Sequence, residues 1–295
     1  MDATVARAAQ SRSVTVEHYE NFPVASVLCP PALRPAVQAI YHFARTADDL
    51  ADEGDAPAAA RQAALAADRA DLAALATDRP PSARWPQVFG PLAATIARHR
   101  LPLAPLHDLL DAFEEDTRHA GYADRAALLR YCERSANPVG RLLLHLHGLA
   151  DPALQRQSDA ICSALQLINF WQDLSVDLPR GRVYVPAADF DRHGLSAAAA
   201  QAAPESTAAR ALVRDLVGWA RSMMQAGAPL ALALPGRVGW EMRGVVQGGL
   251  RVLAKIDAMN HAAFARRPRL RATDAPGLLW ACLRMGWQPA AAVPA

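Results

Sequence analysis

Two acidic clusters inside otherwise apolar helical segments constrain this chain more than any other feature: Asp48-Asp49-Leu50-Ala51-Asp52-Glu53 and Asp173-Leu174-Ser175-Val176-Asp177. Carboxylates on a helix long enough to cross a core need a compensating cation. Two such sets point to several metal ions facing each other, an arrangement suited to gripping a diphosphate. The bland alternative is a solvated acidic face or a complement to a helix N-terminus. Both clusters, however, lie toward the C-terminal ends of their helices, where the dipole disfavours negative charge.

On a wheel of about 100° per residue, Val37, Tyr41, Ala44, Arg45, Asp48 and Asp52 share one arc, so an apolar face runs directly into an arginine and two carboxylates. Asp49 lies about a quarter turn away, placed to serve as a ligand from the side. Residues 153–178 repeat the design, with Gln166, Asn169, Phe170, Asp173 and Asp177 on one face and Pro179 closing the helix. Carboxylates at i and i+4 can share a hard cation, and Mg2+ takes oxygen ligands while keeping waters and substrate oxygens. Asn169 adds a neutral oxygen one turn before Asp173. Arg180 and Arg182 follow the second cluster at once, and arginine gives forked hydrogen bonds to phosphate oxygens.

Helical periodicity dominates and no alternating strand run appears. Prolines and glycines divide the chain into helices expected near 33–53, 58–77, 86–100, 103–119, 124–148, 153–178, 205–227, 238–265 and 275–285, with a long loop over 179–203. No linker or composition shift splits it, so the expectation is one all-α domain over residues 14–287. A disordered segment, 1–13, should precede it, and a frayed tail, 288–295, should follow.

The 31 basic and 29 acidic residues leave a formal charge of +2, which signals no nucleic-acid partner. Cysteines at 29, 132, 162 and 282 form no Cys-x-x-Cys and no disulfide framework, so a reducing cytoplasm fits. The polar N-terminus is unlike a secretory signal, and no 18-residue apolar stretch could span a bilayer. A peripheral contact at the inner membrane face stays open.

These residues resemble the squalene/phytoene synthase family of trans-isoprenyl diphosphate synthases. The first family motif is matched by Tyr41-His-Phe-Ala-Arg45-Thr-Ala-Asp48-Asp49-Leu-Ala-Asp52-Glu53. The second is matched by Gln166-Leu-Ile-Asn169-Phe-Trp-Gln-Asp173-Leu-Ser-Val-Asp177-Leu-Pro-Arg-Gly-Arg182-Val-Tyr184. His18-Tyr-Glu-Asn21-Phe22 also matches. Three further stretches are similar to one branch, the hydroxysqualene synthases of bacterial hopanoid pathways (the HpnC type). They are residues 17–26, Ser135-Ala-Asn137-Pro138-Val139-Gly140-Arg141, and residues 234–243. The broader family carries Val-Ala-Gly-x-Val-Gly where this chain has Ser-Ala-Asn-Pro-Val-Gly.

The resemblance implies the all-α class I isoprenoid (terpenoid) synthase fold around a central cavity. It implies conversion of presqualene diphosphate and water to hydroxysqualene and diphosphate, a lyase reaction needing several Mg2+ ions. No NADPH is expected, and a separate reductase would continue squalene formation. The metal residues would be Asp48, Asp49, Asp52, Asn169, Asp173 and Asp177. Substrate would be held by His18, Asn21, Tyr41, Arg45, Gln166, Asn169, Arg182 and Tyr184. Tyr41, Arg45, Asp48, Asp52, Tyr131, Asn137, Asp173 and Asp177 would act in the reaction. Asn137 would orient the quenching water beside a proline kink, although Asn before Pro is also a turn former. Asp116 matches a family acid, but a solvated helix face explains it equally well. Phe22, Phe43, Phe170, Trp171, Trp219 and Trp240 either line a lipid channel or are core. A presqualene diphosphate, dehydrosqualene or phytoene synthase shares both aspartate motifs. A non-catalytic assembly factor of the same fold would be expected to lose the metal carboxylates.

Overall fold

The computed structural model describes residues 28–52, 54–77, 79–118 and 121–285, and every element among them is helical. The expected terminal segments, and with them His18, Asn21 and Phe22, lie outside the described residues, as does Glu53. The longer helices are α1 (Arg34–Asp52), α2 (Ala58–Leu75), α3 (Pro86–His99), α4 (Ala104–Asp116), α5 (Arg125–Ser135), α6 (Asn137–Leu146) and α7 (Pro152–Asp177). After a 3-10 turn at Leu178–Arg180 come α8 (Ala187–Arg192), α9 (Ala197–Ala202), α10 (Thr207–Gly227), α11 (Leu230–Ala233), α12 (Gly236–Ala258) and α13 (Ala275–Arg284).

Local chemistry sets these boundaries. Asp124, Asp151 and Ser206 accept hydrogen bonds from first-turn amides of α5, α7 and α10 at 2.7, 2.7 and 3.2 Å, satisfying donors that a helix start leaves unpaired. Pro86 and Pro152 stand in the first turns of α3 and α7, where a missing N–H costs nothing. The expected single helix over 124–148 is two helices. Ala136, at φ −121° and ψ −48°, separates them. Pro138 then falls in the first turn of α6, where it starts a helix and sacrifices no hydrogen bond. The expected helix over 238–265 begins at Gly236 and stops at Ala258, where Asn260 and His261 take left-handed φ of 51° and 59°. Within the expected loop 179–203, α8 and α9 form two short turns of helix.

Two apolar cores organise the bundle. The first gathers Phe43, Leu65, Phe89, Leu92, Leu106 and Leu110 from α1 to α4. The second gathers Leu128, Leu167, Trp171, Leu216, Val246 and Leu253 from α5, α7, α10 and α12. Helix α6 serves both: Leu142 and Leu146 face the first core, and Leu144, on the opposite side, faces the second.

Close approach to α7 is made through glycines. A Cβ at Gly227 of α10 would lie 2.6 Å from both the Gln157 carbonyl oxygen and Ile161, and one at Gly140 of α6 would lie 2.6 Å from the Cys162 sulfur. Only residues without side chains let these helices approach α7 so closely.

Ion pairs hold the segment after α7. Buried Asp189 accepts from Arg125 at 3.0 and 3.1 Å and from Arg192 at 2.8 Å, while Asp215 of α10 accepts from Arg125 at 2.9 Å and Arg192 at 3.1 Å. Arg125 also lies 4.7 Å over the Trp219 ring. Amides of Ala187 and Ala188 donate to the carbonyls of Tyr122 and Ala123, at 2.9 and 3.0 Å.

Candidate active site

On α1 the fully buried stripe is Ala36, Ala39, Ile40, Phe43, Ala47 and Ala51. The arc Val37, Tyr41, Ala44, Arg45, Asp48 and Asp52 is its half-buried flank. On α7 the buried stripe includes Leu167, Phe170, Trp171 and Leu174. Gln166, Asp173 and Asp177 are half-buried and Asn169 is exposed. Each helix thus anchors through its apolar stripe and offers its acids beside it, at the seam between the two cores.

Arginines bind the acids of both helices, and one of them links the two. Arg182, two residues beyond the 3-10 turn that follows α7, pairs with the Asp52 carboxylate and donates to its backbone carbonyl at 3.3 Å. Asp52 charge also reaches Asp177 across the gap. Arg45 bridges Asp48 at 2.9 Å and Asp49 at 2.6 Å. Arg267, from the segment after α12, grips Asp173 with two nitrogens, one of them at 3.0 Å.

Asp116, on the facing end of α4, is buried and accepts from the Tyr131 hydroxyl at 2.8 Å. It is no solvated helix face. Beneath the acids, Tyr184 stacks on Phe170 with centroids 3.9 Å apart and planes 9° from parallel. Tyr131 lies 6.2 Å from Phe170, and Tyr122 5.5 Å from Tyr131. The result is an aromatic floor under a ring of carboxylates.

The electrostatics describe an acid-rich site short of cations. Burial, opposed by Arg45 and assisted by Asp52 and Asp49, pushes Asp48 up to about 6. Burial and then Asp173 push Asp177 up to about 6, with Arg182 and Arg180 only partly offsetting them. Asp173 is raised as well, by burial, against Arg267. Burial drives Asp116 to about 7 despite its Tyr131 bond, and Asp48 and Asp52 add to the rise. Burial and then the Asp116 charge raise the Tyr184, Tyr122 and Tyr131 hydroxyls.

The donor set fits Mg2+ in one particular way. Among the described residues no three His, Cys, Asp or Glu side chains converge at ligand distance. The acids form opposed pairs. An ion that takes one or two carboxylates and completes its shell with water and substrate phosphate suits opposed pairs better than a closed cage. Opposite charge there would also offset the burial, and the lesser mutual repulsion, that raise Asp48 and Asp177.

Sequence reasoning located both acid sets, Arg45, Arg182, Tyr131 and Tyr184, and the structure brings them together. Tyr41 is half-buried, its ring edge-on to exposed His42 with centroids 5.7 Å apart. Asn137 is buried, and its side-chain oxygen accepts from Ser163 of α7 at 2.9 Å. Of the aromatics weighed for a channel, Phe43 and Trp171 are wholly buried core, since volume at the seam is filled by apolar packing, while Trp240 is exposed under Arg243. The reading missed Arg267 and Tyr122. For Arg267 a signal existed in Arg266-Arg267-Pro268-Arg269, a basic run held out of helix by its proline. Tyr122 had none.

With this geometry in place, the comparisons have a structural meaning. Residues 15–274 match the squalene/phytoene synthase family. The chain belongs to that family. It is 38% identical over 181 residues to a hydroxysqualene synthase of Zymomonas mobilis, a match covering 60% of this chain and 58% of that protein. It is 32% identical over 237 residues to a hydroxysqualene synthase of Rhodopseudomonas palustris, covering 80% of this chain and 78% of the relative. Its fold is similar to that of squalene synthase HpnC from Alicyclobacillus acidocaldarius, with a TM-score of 0.75, 34% identity and coverage of 88% and 94% of the two chains. A dehydrosqualene synthase at 21% identity shares the fold with a TM-score of 0.71, over 85% of each chain. The all-α isoprenoid synthase fold expected from the sequence is therefore the fold of this chain. Among the described residues no helix is long and apolar enough to cross a membrane.

Proposed function

We propose that this enzyme of the squalene/phytoene synthase family converts presqualene diphosphate and water to hydroxysqualene and diphosphate. The observation that supports the reading of the site is the Arg182–Asp52 pair, which ties the α1 acids to the segment directly after the α7 acids, where Tyr184 stacks on Phe170. Its assignment to the hydroxysqualene branch is supported by the Ser135-Ala-Asn137-Pro138-Val-Gly140 element and by the names of its relatives.

Bound Mg2+ would supply Lewis-acid stabilisation of the departing diphosphate, held by Asp48, Asp52, Asn169, Asp173 and Asp177 with Asp49 beside them. Arg45, Arg182 and Arg267 now spend their forked donors on carboxylates. They are placed to turn those donors to diphosphate oxygens. Gln166 and Tyr41 flank that position. Faces of Tyr184, Tyr131 and Phe170 would stabilise the carbocation left behind, and the apolar seam would exclude all but the water that captures it. Asn137 would position that water from α6, its oxygen held by Ser163. No NADPH enters this reaction, and a separate reductase would consume the alcohol.

The test is incubation of purified protein with Mg2+ and, separately, farnesyl diphosphate or presqualene diphosphate, with products identified by mass in ¹⁸O-labelled water. Labelled hydroxysqualene from presqualene diphosphate, with or without NADPH, is expected. Presqualene diphosphate made from farnesyl diphosphate would instead favour the condensing reading, which a 31% identical presqualene diphosphate synthase of Zymomonas mobilis keeps in view.

A further inference from the structure

All the exposed large apolar side chains among the described residues lie in one stretch of the chain: Leu232, Trp240, Leu279, Trp280 and Leu283. Leu279 is 62% exposed and Trp280 56%. On α13 the spacing of Leu279, Trp280 and Leu283 puts them within an arc of about 100°. Trp280 lies about 160° around the helix from Cys282, the buried residue of α13, with Leu279 and Leu283 between them. A helix this short, apolar on its outer face as well as its inner one, has no reason to end at water.

The helices that carry these residues pack together. Helix α12 packs against both α11 and α13, and Gln247 of α12 donates to the Met285 sulfur at 3.5 Å. Arg243 stacks 4.5 Å over the Trp240 ring, and its charge draws down a Cys282 thiol that burial raises. Arg243 therefore lies between the Trp240 end of the patch and α13. Exposed Arg237 and Arg284 stand beside the apolar residues.

Charge selects the occupant. Leaving aside Arg267, which grips Asp173 in the acidic site, residues 230–285 hold eight Lys and Arg against three Asp and Glu, in a chain whose formal charge is only +2. Of the three acids, Asp274 is neutralised by Arg251 and Lys255 and Asp257 by Arg221. Tryptophan and leucine flanked by arginine is the composition that settles in a bilayer interface, with rings at headgroup level and guanidinium groups on lipid phosphates.

We infer that the α11–α13 face docks on the surface of an anionic lipid bilayer, with Trp240 and Trp280 as its aromatic anchors. This does not depend on which reaction the acidic site performs, because none of these residues belongs to that site.

Sedimentation of the full chain with phosphatidylcholine vesicles, with and without phosphatidylglycerol, tests it. Binding should favour the anionic vesicles and weaken with salt. The triple variant Leu279→Ser, Trp280→Ser, Leu283→Ser should bind about tenfold more weakly or worse. Arg237→Glu with Arg284→Glu should lose the anionic preference. Vesicles with brominated acyl chains should quench a component of the emission that the conservative Trp280→Phe variant lacks, a readout that survives even if the triple variant fails to fold. Several results would overturn the inference. One is a folded triple variant that sediments like the parent, or a parent that binds neither vesicle. Another is a dimer in light scattering that the triple variant abolishes, which would make a second copy the occupant. The last is Trp280 shielded from iodide without lipid, which would mean that the chain's own terminal segments cover the face.

Discussion

Two arginine–aspartate clusters in this molecule are built from the same side chains to opposite ends. Around Asp189 and Asp215, Arg125 and Arg192 answer both carboxylates, and burial at Asp215 is outweighed by Arg125, His193 and Arg192 together, so its carboxyl lies below the ordinary range. Asp274, bonded by Lys255, the Arg271 amide and Arg251, drops to about 2. In the cavity, six aspartates outnumber the arginines that touch them, and Asp48, Asp177 and Asp116 are pushed upward. Satisfied pairs fasten the scaffold, while the crowded set is left short of positive charge where a metal and a diphosphate would arrive.

The largest expected effect separates these clusters by activity. Asp48→Asn or Asp173→Asn should reduce turnover by about 10²–10⁴ while the protein stays folded. Full activity in either variant, measured as diphosphate release, would remove the metal assignment. The converse break is Asp189→Asn, which removes the buried negative charge facing Arg125 and Arg192 and sets an amide NH2 against their donors. It should cost about 2 kcal/mol of stability in denaturant unfolding, a value reduced from that of a fully buried pair because both arginines remain partly exposed. Turnover per folded molecule should change little by comparison.

Mg2+ and pyrophosphate together should stabilise the fold by about 1 kcal/mol or more beyond the sum of each alone, because each supplies the charge the other needs. A thermal-shift titration with purely additive effects would reduce the cavity to an acidic surface patch.

The smallest effect concerns pH in the metal-free protein. Asp48 and Asp177 hold protons up to about 6, above their ordinary 3.8. The folded state is therefore penalised at pH 7, and the penalty fades as pH falls from about 6 toward 4. Asp177→Asn should raise the Tm at pH 7 and flatten that part of the profile. Asp274 behaves oppositely: its contribution is present above 3.8 and is lost as pH falls toward about 2. Asp274→Asn should lower the Tm at pH 7. Identical profiles for the two variants would erase the distinction.

Helix positions and both acid sets were legible because apolar periodicity and charge placement are local properties of the chain. Asp48 and Asp173 announce themselves by standing where a core-crossing helix should stay apolar. What was hidden depends on contacts between distant segments. Arg267 meets Asp173 across 94 positions of chain, and Asp116 is buried only because Tyr131 and the α1 acids close over it. The break at Ala136 was misread as a kink because a proline near the middle of a periodic run looks alike whether it bends one helix or begins another.

The glycines against α7 limit where this protein can change. With Gly140 and Gly227 admitting no side chain, the helix that carries Asp173 and Asp177 has almost no freedom to shift or to tolerate bulk from α6 or α10. On the proposed reading, remodelling of the site for a substrate of different length would therefore proceed from the α1 side, through half-buried positions such as Val37, Tyr41 and Ala44. A library of variants confined to those positions would explore new substrates while leaving the α7 acids in place.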